Sequence, residues 1–234
     1  SPDFCGGRDL GAWREYLAAI SDAAEAMRDT ILLKGIVTCI RHFGPEKAKE
    51  TALCAAETAG EFIVGFGIAG DEKQGAPKEF AYSFDMAREA GLGLTAHAGE
   101  WGGPEAIKDT LNDLGVGRIG HGVRAIEDPA LVERLTEDGI VLEVCPGSNV
   151  WLGVYPSWAS HPIETLRAAG VNVTVSTDDP PFFATTMTRE YEMLNRTFGW
   201  DADIFQTINQ TALDAAFCAG TEKELLRARL QETP

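Results

Sequence analysis

The sequence lacks any long apolar run, any pair of closely spaced cysteines and any low-complexity segment. A membrane-spanning helix needs about 20 consecutive apolar residues, so no such span is expected. The first ten residues have neither the basic start nor the apolar stretch of a secretory signal, which predicts a cytoplasmic protein. The five cysteines are scattered and form no CxxC pair, so we expect reduced, mostly buried thiols instead of disulfides or a thiolate metal site.

Basic residues are also scarce. Against 36 Asp and Glu the chain has only 20 Lys and Arg, which gives a formal net charge of -16. Such a surface repels the phosphates of nucleic acids and of anionic membranes, so neither is an expected partner. With 44% hydrophobic and 24% charged residues the composition is that of a globular protein. At 234 residues we predict a single domain over residues 1–234.

Short apolar runs alternate with helical patterns along the chain, which is typical of βα units with a parallel sheet. Strands are predicted at residues 31–40, 62–69, 92–97, 118–121, 140–145 and 171–176. Helices are predicted between them at residues 11–29, 45–59, 77–90, 104–114, 129–136 and 162–169, and after the last strand at residues 187–198, 202–219 and 221–230. No two-residue hairpin signal separates any strands, so both an open doubly wound sheet and a closed barrel fit.

A dinucleotide-binding sheet would place GxGxxG between a strand and a helix. The nearest match, GFGIAG at residues 65–70, lies inside an apolar run instead of opening a helix, which favours the barrel. In a parallel barrel the carboxyl ends of the strands meet on one face, where the active site lies.

Polar residues follow five of the predicted strands, and most of these clusters contain an imidazole or a carboxylate. His97, Glu100, His121, Asp178 and Asp179 are therefore expected to converge. His and Asp ligands with open positions suit a hydrolytic metal such as zinc. Each residue also has a structural explanation: a histidine is often only hydrogen-bonded, and Asp178-Asp179-Pro180 also fits a turn or a helix cap.

The remaining candidates have structural explanations too. Glu100 also fits a solvated loop, and Gly70 fits a turn glycine. We interpret His42 and His161 as structural, with His161 a helix cap before Pro162. The aromatic segment at residues 149–158 fits either the mouth of a pocket or ordinary packing.

The joint occurrence of four motifs resembles the adenosine deaminase family. They are AGDE at residues 69–72, TAHAGE at 95–100, RIGHG at 118–122 and STDDP at 176–180, in the order and spacing of that family. The resemblance implies a (β/α)8 TIM barrel of the metal-dependent hydrolase type with additional C-terminal helices. It also implies one zinc ion and the hydrolytic deamination of adenosine to inosine and ammonia.

The resemblance also implies a role for each matching residue. His97 and Asp178 would bind zinc, Glu100 would protonate purine N1, and His121 would orient and deprotonate the attacking water. Asp179 would accept a hydrogen bond at the N7 edge of the purine, and the backbone N–H of Gly70 would face N3. A dry pocket would keep an acid such as Glu100 protonated.

The family opens its barrel with a strand that carries an H-x-H pair of zinc ligands, and no H-x-H occurs in these 234 residues. We therefore expect a barrel that is incomplete at its N-terminus and lacks the first strand, so that the isolated chain could be inactive. A separate chain that carries the H-x-H segment would also account for the missing ligands.

The motifs leave the activity open in three respects. Adenine or an N6-substituted adenine could be the substrate in place of adenosine. A different hydrolase of the same superfamily and a non-catalytic binding module are also compatible with the barrel.

Overall fold

The computed structural model describes residues 1–5 and 9–232. Within these residues there are six β-strands: β1 Gly35–Ile40, β2 Ile63–Ala69, β3 Gly93–Ala98, β4 Arg118–His121, β5 Val141–Val144 and β6 Asn172–Val175. The same residues form eleven α-helices: α1 Leu10–Ala26, α2 Pro45–Glu57, α3 Ala81–Glu89, α4 Pro104–Leu114, α5 Pro129–Glu137, α6 Pro146–Trp151, α7 Ile163–Ala168, α8 Pro180–Phe183, α9 Met187–Phe198, α10 Ala202–Ala215 and α11 Gly220–Glu232.

Every predicted strand and helix is present, with its ends shifted by a few residues. The start of β1 is shifted by four residues: it is predicted at residue 31 and lies at Gly35, where the backbone N–H donates to the carbonyl of Phe62 at 2.7 Å. The apolar side chains before it, Ile31, Leu32 and Leu33, are exposed, so their hydrophobicity does not indicate a strand.

Two short helices, α6 and α8, were not predicted. Each begins with a proline after a strand and has only six or four residues. Their sequences, PGSNVW and PPFF, show no helical pattern of apolar residues.

The chain divides into two compact units. The first comprises Ser1–His97 and Asp109–Val116. In it β1 pairs with β2 and β2 with β3, all in parallel, with Ile36 opposite Gly65 and Phe66 opposite Leu94. Helix α2 packs on β1 and on α3. Phe66 and Phe84 are fully buried and meet edge to face, with ring centroids 5.2 Å apart.

The second unit comprises Ala98–Lys108 and Gly117–Pro234. Here β4, β5 and β6 pair in parallel, with Ile119 opposite Leu142 and Leu142 opposite Val173. These three side chains are buried, and helices α7 and α10 pack against β6. The parallel pairing and the alternation of strands with helices confirm the predicted α/β class. The single domain over residues 1–234 stays a prediction.

Two expectations from composition concern the described residues as well. None of the helices described is long and apolar enough to cross a membrane. All five cysteines lie in the described part of the chain and none forms a disulfide; Cys39, Cys54 and Cys145 are buried. The expectation that most of the thiols are buried is confirmed, and their reduced state stays a prediction.

The packing of Phe84 generates a stability prediction. Phe84→Ala should destabilise the protein by about 3–5 kcal/mol, because it removes a fully buried ring and leaves a cavity against Phe66. Tyr82→Ala is the matched control, since this residue lies on the same helix but is 61% exposed, and should cost about 0.5 kcal/mol. Urea unfolding of both variants measures the difference, and equal losses would contradict the assigned core.

Candidate active site

Glu100 is brought into the second unit by a tight turn after β3. Gly99 adopts a φ of +78°, and a Cβ there would overlap the side chain of Ile107. The turn is held by the backbone N–H of Gly122, which donates to the carbonyl of Ala98 at 3.0 Å. Only glycine satisfies both the positive φ and the close approach at position 99. The side chain of Glu100 is consequently buried, with 5% exposure.

His121, the last residue of β4, is buried and has a φ of +61°. Asp178, three residues after β6, has a φ of +59°. Among the described residues the only other non-glycine with a positive φ is Ala184. Such conformations cost about 1–3 kcal/mol and are concentrated at functional sites. Two of the three therefore coincide with residues that the sequence analysis singled out.

His121 and Asp178 lie close together. Nε2 of His121 is 3.9 Å from Oδ2 of Asp178, and the same Oδ2 accepts a hydrogen bond of 2.7 Å from the hydroxyl of Ser148. Potential ligand atoms of His121, Cys145 and Asp178 all lie within 4.8 Å of one another. Burial, and then the carboxylate of Asp178, raise the pKa of the Cys145 thiol. Both effects favour the neutral thiol of Cys145.

Asn149 links Glu100 to His121. Its side chain is fully buried, and its Nδ2 donates to Oε1 of Glu100 at 2.9 Å. The same nitrogen is 3.2 Å from Nδ1 of His121. On the other side of the amide, Oδ1 lies 3.1 Å from Nε2 of His161. One amide therefore touches the predicted acid, the predicted water-orienting histidine and a third buried group.

His161 is the histidine that was interpreted as a helix cap. Its Nδ1 accepts a hydrogen bond of 3.2 Å from the backbone N–H of Ile163, the first residue of α7. The ring is 3% exposed, and its burial, with a smaller effect of His121, lowers its pKa to about 3. His161 therefore caps the start of α7, as predicted. It also contacts Asn149, and that contact is not predictable from the sequence.

A second buried carboxyl holds the helix that carries Ser148 and Asn149. Oε2 of Glu190 accepts from the backbone N–H of Gly147 at 2.9 Å, and its Oε1 accepts from the hydroxyl of Thr185 at 2.5 Å. Glu190 is fully buried, and burial raises its pKa. Through Glu190 the start of α6 is joined to α9 and to Thr185 before it, which positions Ser148 and Asn149.

Asp179 occupies the N-cap position of α8, but its side chain makes no capping hydrogen bond there. Burial, and then the adjacent carboxylate of Asp178, raise the pKa of Asp179. Part of the aromatic segment at residues 149–158 is exposed: Trp151 has 63% and Leu152 41% exposure. For these two residues, the interpretation as ordinary packing does not hold.

Two of the predicted site residues, Gly70 and His97, lie in the first unit. Gly70 follows β2 with a φ of +100°, and a Cβ there would approach Nδ1 of His42 to 2.9 Å. His97 lies in β3, and its Nδ1 is 3.1 Å from Oε1 of Glu72. The side chain of Glu72 is only 1% exposed. A carboxylate beside the second ring nitrogen is the usual companion of a metal-bound histidine.

The second unit thus brings together Glu100, His121 and Asp178 of the predicted set. The sequence analysis missed Ser148, Asn149 and Glu72, and it assigned His161 a narrower role. Ser148 and Asn149 lie in the polar motif CPGSN after the fifth strand, and Glu72 is the last residue of AGDE. Composition and spacing alone do not show which of those polar atoms face the site.

With this geometry in place, comparison with known proteins identifies the relationship. The adenosine deaminase family model matches residues 3–233. The chain belongs to this family. It is 50% identical over 196 residues to an adenine deaminase of Chelativorans sp. (strain BNC1), a match that covers 84% of this chain and 60% of the relative.

Two crystal structures extend the comparison. Adenine deaminase from Arthrobacter aurescens is similar with a TM-score of 0.84 and 30% identity, over 91% of this chain and 65% of that one. An amidohydrolase from Burkholderia ambifaria with bound Zn is similar with a TM-score of 0.85 and 27% identity, over 94% and 62%. These likenesses confirm the predicted fold class, the α/β fold of the amidohydrolase family. The chain spans less than two thirds of the length of each of these three proteins.

The depressed pKa of His161 makes stability depend on pH. Between its ordinary value of 6.5 and the folded value of about 3, the unfolded chain binds a proton at His161 that the native protein does not. Stability therefore falls as the pH is lowered through this window, by up to about 1.4 kcal/mol per pH unit from this residue. In His161→Gln, which stays neutral, this part of the slope should be absent.

Urea unfolding of parent and variant from neutral pH down to about pH 4.5 measures the difference. Other titrating groups contribute equally to both proteins and cancel in the comparison. If the free energy of unfolding changes equally with pH in parent and variant, His161 is protonated in the folded protein as it is in the unfolded chain.

Proposed function

We propose that the protein to which this chain belongs is a metal-dependent purine deaminase whose substrate is adenine. The observation that carries the proposal is the buried cluster of Glu100, Asn149 and His121 beside Asp178. It combines a carboxyl group, an imidazole and a potential metal ligand, which are the groups that hydrolytic deamination requires. Membership of the adenosine deaminase family supports this assignment.

The residues present fit a metal ion. His97 has its Nδ1 against the buried carboxylate of Glu72, which leaves Nε2 as the ligand atom. Asp178 has one oxygen held by Ser148, which orients the carboxylate. We assign His97 and Asp178 as ligands of one zinc ion. Zinc, when bound, makes a nucleophile available at neutral pH by lowering the pKa of water from about 15.7 to about 7.

The other residues act on the purine and on water. Glu100 delivers a proton to N1 of the ring, which makes the carbon that bears the amino group more electrophilic. His121, with Nε2 facing Asp178, orients the attacking water. The backbone N–H of Gly70 faces N3. The oxygen of water bonds to this carbon and the carbon–nitrogen bond breaks, while one proton of the water passes to the amino group, which departs as ammonia, and the other restores the Glu100 carboxyl that protonated N1.

Asp179 is assigned to the N7 edge of the purine. An ionised carboxylate accepts a hydrogen bond there only from an N7–H, which free adenine has in one tautomer and adenosine lacks. The neutral acid donates to a bare N7 instead, and burial favours that form by raising the pKa of Asp179. This residue is compatible with either substrate, so the preference for adenine over adenosine rests on the names of the similar proteins.

Adenosine was the first expectation from the sequence, and adenine was the second. The similar proteins named adenine deaminase favour adenine, and an N6-substituted adenine remains a further candidate because Trp151 and Leu152 present exposed apolar surface near Asn149. If the protein is instead a non-catalytic binding module, metal analysis should find no retained metal.

Glu100→Gln in the full-length protein should lower kcat by roughly 10²–10⁴-fold while the metal content stays unchanged, because the amide cannot deliver a proton. Asp178→Ala should instead lose metal, since it removes a ligand. The matched control is Glu105→Gln, the same change at an exposed position of α4, which should retain activity.

Turnover is followed by the ultraviolet change on deamination, with metal analysis of every variant. If Glu100→Gln deaminates at the parent rate with metal bound, Glu100 is not the acid. A metal-loaded parent protein that deaminates no purine overturns the proposed function.

Substrate choice is tested separately. The parent protein should have a kcat/KM for adenine at least about tenfold above that for adenosine, a difference of about 1.4 kcal/mol in transition-state binding. Steady-state rates with adenine, adenosine and N6-methyladenine at equal concentrations provide the comparison. A preference for adenosine would restore the expectation drawn from the motifs alone.

A further inference from the structure

The tautomer of His161 follows from its contacts. A neutral imidazole has one N–H, so a ring whose Nδ1 accepts a hydrogen bond has its hydrogen on Nε2. Nδ1 of His161 accepts from the backbone N–H of Ile163, a donor that cannot change its role. The pKa of about 3, caused by burial, means that the ring is neutral at physiological pH. His161 is therefore an Nε2–H donor.

That donor sets the orientation of Asn149. Nε2 of His161 lies 3.1 Å from Oδ1 of Asn149, so the amide oxygen must face His161 and the amide nitrogen must face the opposite side. The reverse orientation would bring two donors together. Because Asn149 is fully buried, an amide atom that lost its partner would have no other group to bond with, which holds the amide in this orientation.

The amide nitrogen then specifies two acceptors. Nδ2 of Asn149 lies 2.9 Å from Oε1 of Glu100 and 3.2 Å from Nδ1 of His121, and it donates one hydrogen to each. Oε1 of Glu100 is consequently an acceptor, so an acidic proton on this carboxyl resides on Oε2. Nδ1 of His121 is an acceptor, so the neutral ring has its hydrogen on Nε2, the nitrogen that faces Asp178.

We infer that His161 and Asn149 are positioning residues, which together determine that Oε2 of Glu100 and Nε2 of His121 hold the protons of the site. The catalytic consequence rests on the proposed function: Glu100 presents Oε2–H to the purine, and His121 orients an oxygen by donating to it. In this tautomer the proton of the attacking water passes to the Glu100 carboxylate, which has given its own proton to N1, and not to Nε2 of His121, which differs from the role implied by the family resemblance.

The first test is spectroscopic and needs no turnover. The metal-free full-length protein is labelled with ¹⁵N-histidine, and two-bond ¹⁵N–¹H correlations distinguish Nδ1–H from Nε2–H rings. Substitution of each histidine of the chain in turn assigns the signals. At neutral pH His161 and His121 should both be Nε2–H. A ring of His121 with its hydrogen on Nδ1 in the parent overturns the inference, whatever the enzymatic activity.

Asn149→Leu keeps the volume of the side chain and removes its donors. The preference of His121 for the Nε2–H tautomer should be lost or weakened in this variant. An unchanged tautomer in folded Asn149→Leu would show that Asn149 does not set it.

The second test separates a hydrogen-bond role from mere packing. In the metal-loaded enzyme, His161→Leu fills the space without a donor, whereas His161→Gln can place its Nε2 donor near that of the ring. His161→Leu should lower kcat by about 10–100-fold with KM within a few-fold and metal retained, and His161→Gln should recover most of the loss. Ser160→Ala, an exposed change at the neighbouring position, is the control and should behave as the parent.

Equal impairment in His161→Leu and His161→Gln, with both variants folded by urea unfolding, overturns the kinetic part of the inference. A parent protein without deaminase activity rejects the proposed function but leaves the spectroscopic test intact. The two failures are therefore distinguishable.

Discussion

The buried amide of Asn149 is the constraint on which the rest of the site depends. No water reaches it, so each of its polar atoms must be satisfied by protein groups. It meets this requirement through His161 on one side and through Glu100 and His121 on the other. A buried hydrogen-bond network in which every polar atom has a partner is rigid. In this network the direction of each hydrogen bond follows from one donor, the backbone N–H of Ile163 at the start of α7.

The backbone around the site is adapted to the same purpose. Gly99 and Gly122 adopt left-handed conformations, and Leu142 would lie 2.6 Å from a Cβ at position 122. His121 and Asp178 adopt the same left-handed backbone conformation, although their Cβ atoms make it strained for them. The stabilisation that offsets this strain comes from the buried side chains of the parallel strands. These turns bring functional groups from separate strand ends within hydrogen-bonding distance of each other.

Much of the fold was predictable because it depends on local patterns. The alternation of apolar runs with helical patterns located all six strands and nine of the eleven helices of the described residues. The two missed helices, α6 and α8, have the sequences PGSNVW and PPFF, which show no helical pattern of apolar residues. Residues 31–33 are apolar but exposed and precede the first strand. The carboxylates and imidazoles were placed at strand ends by the same reasoning, and the four motifs identified the family.

By itself, the sequence determined the α/β class, the family and the residues Glu100, His121 and Asp178 as members of one site. Only the tertiary structure decided the roles of Asn149 and His161, and the pairing of His97 with Glu72. The physical reason is that a hydrogen bond depends on direction between atoms far apart in the chain. Asn149 lies 49 residues from Glu100, 28 from His121 and 12 from His161, and no periodicity or spacing encodes which end of an amide faces which partner.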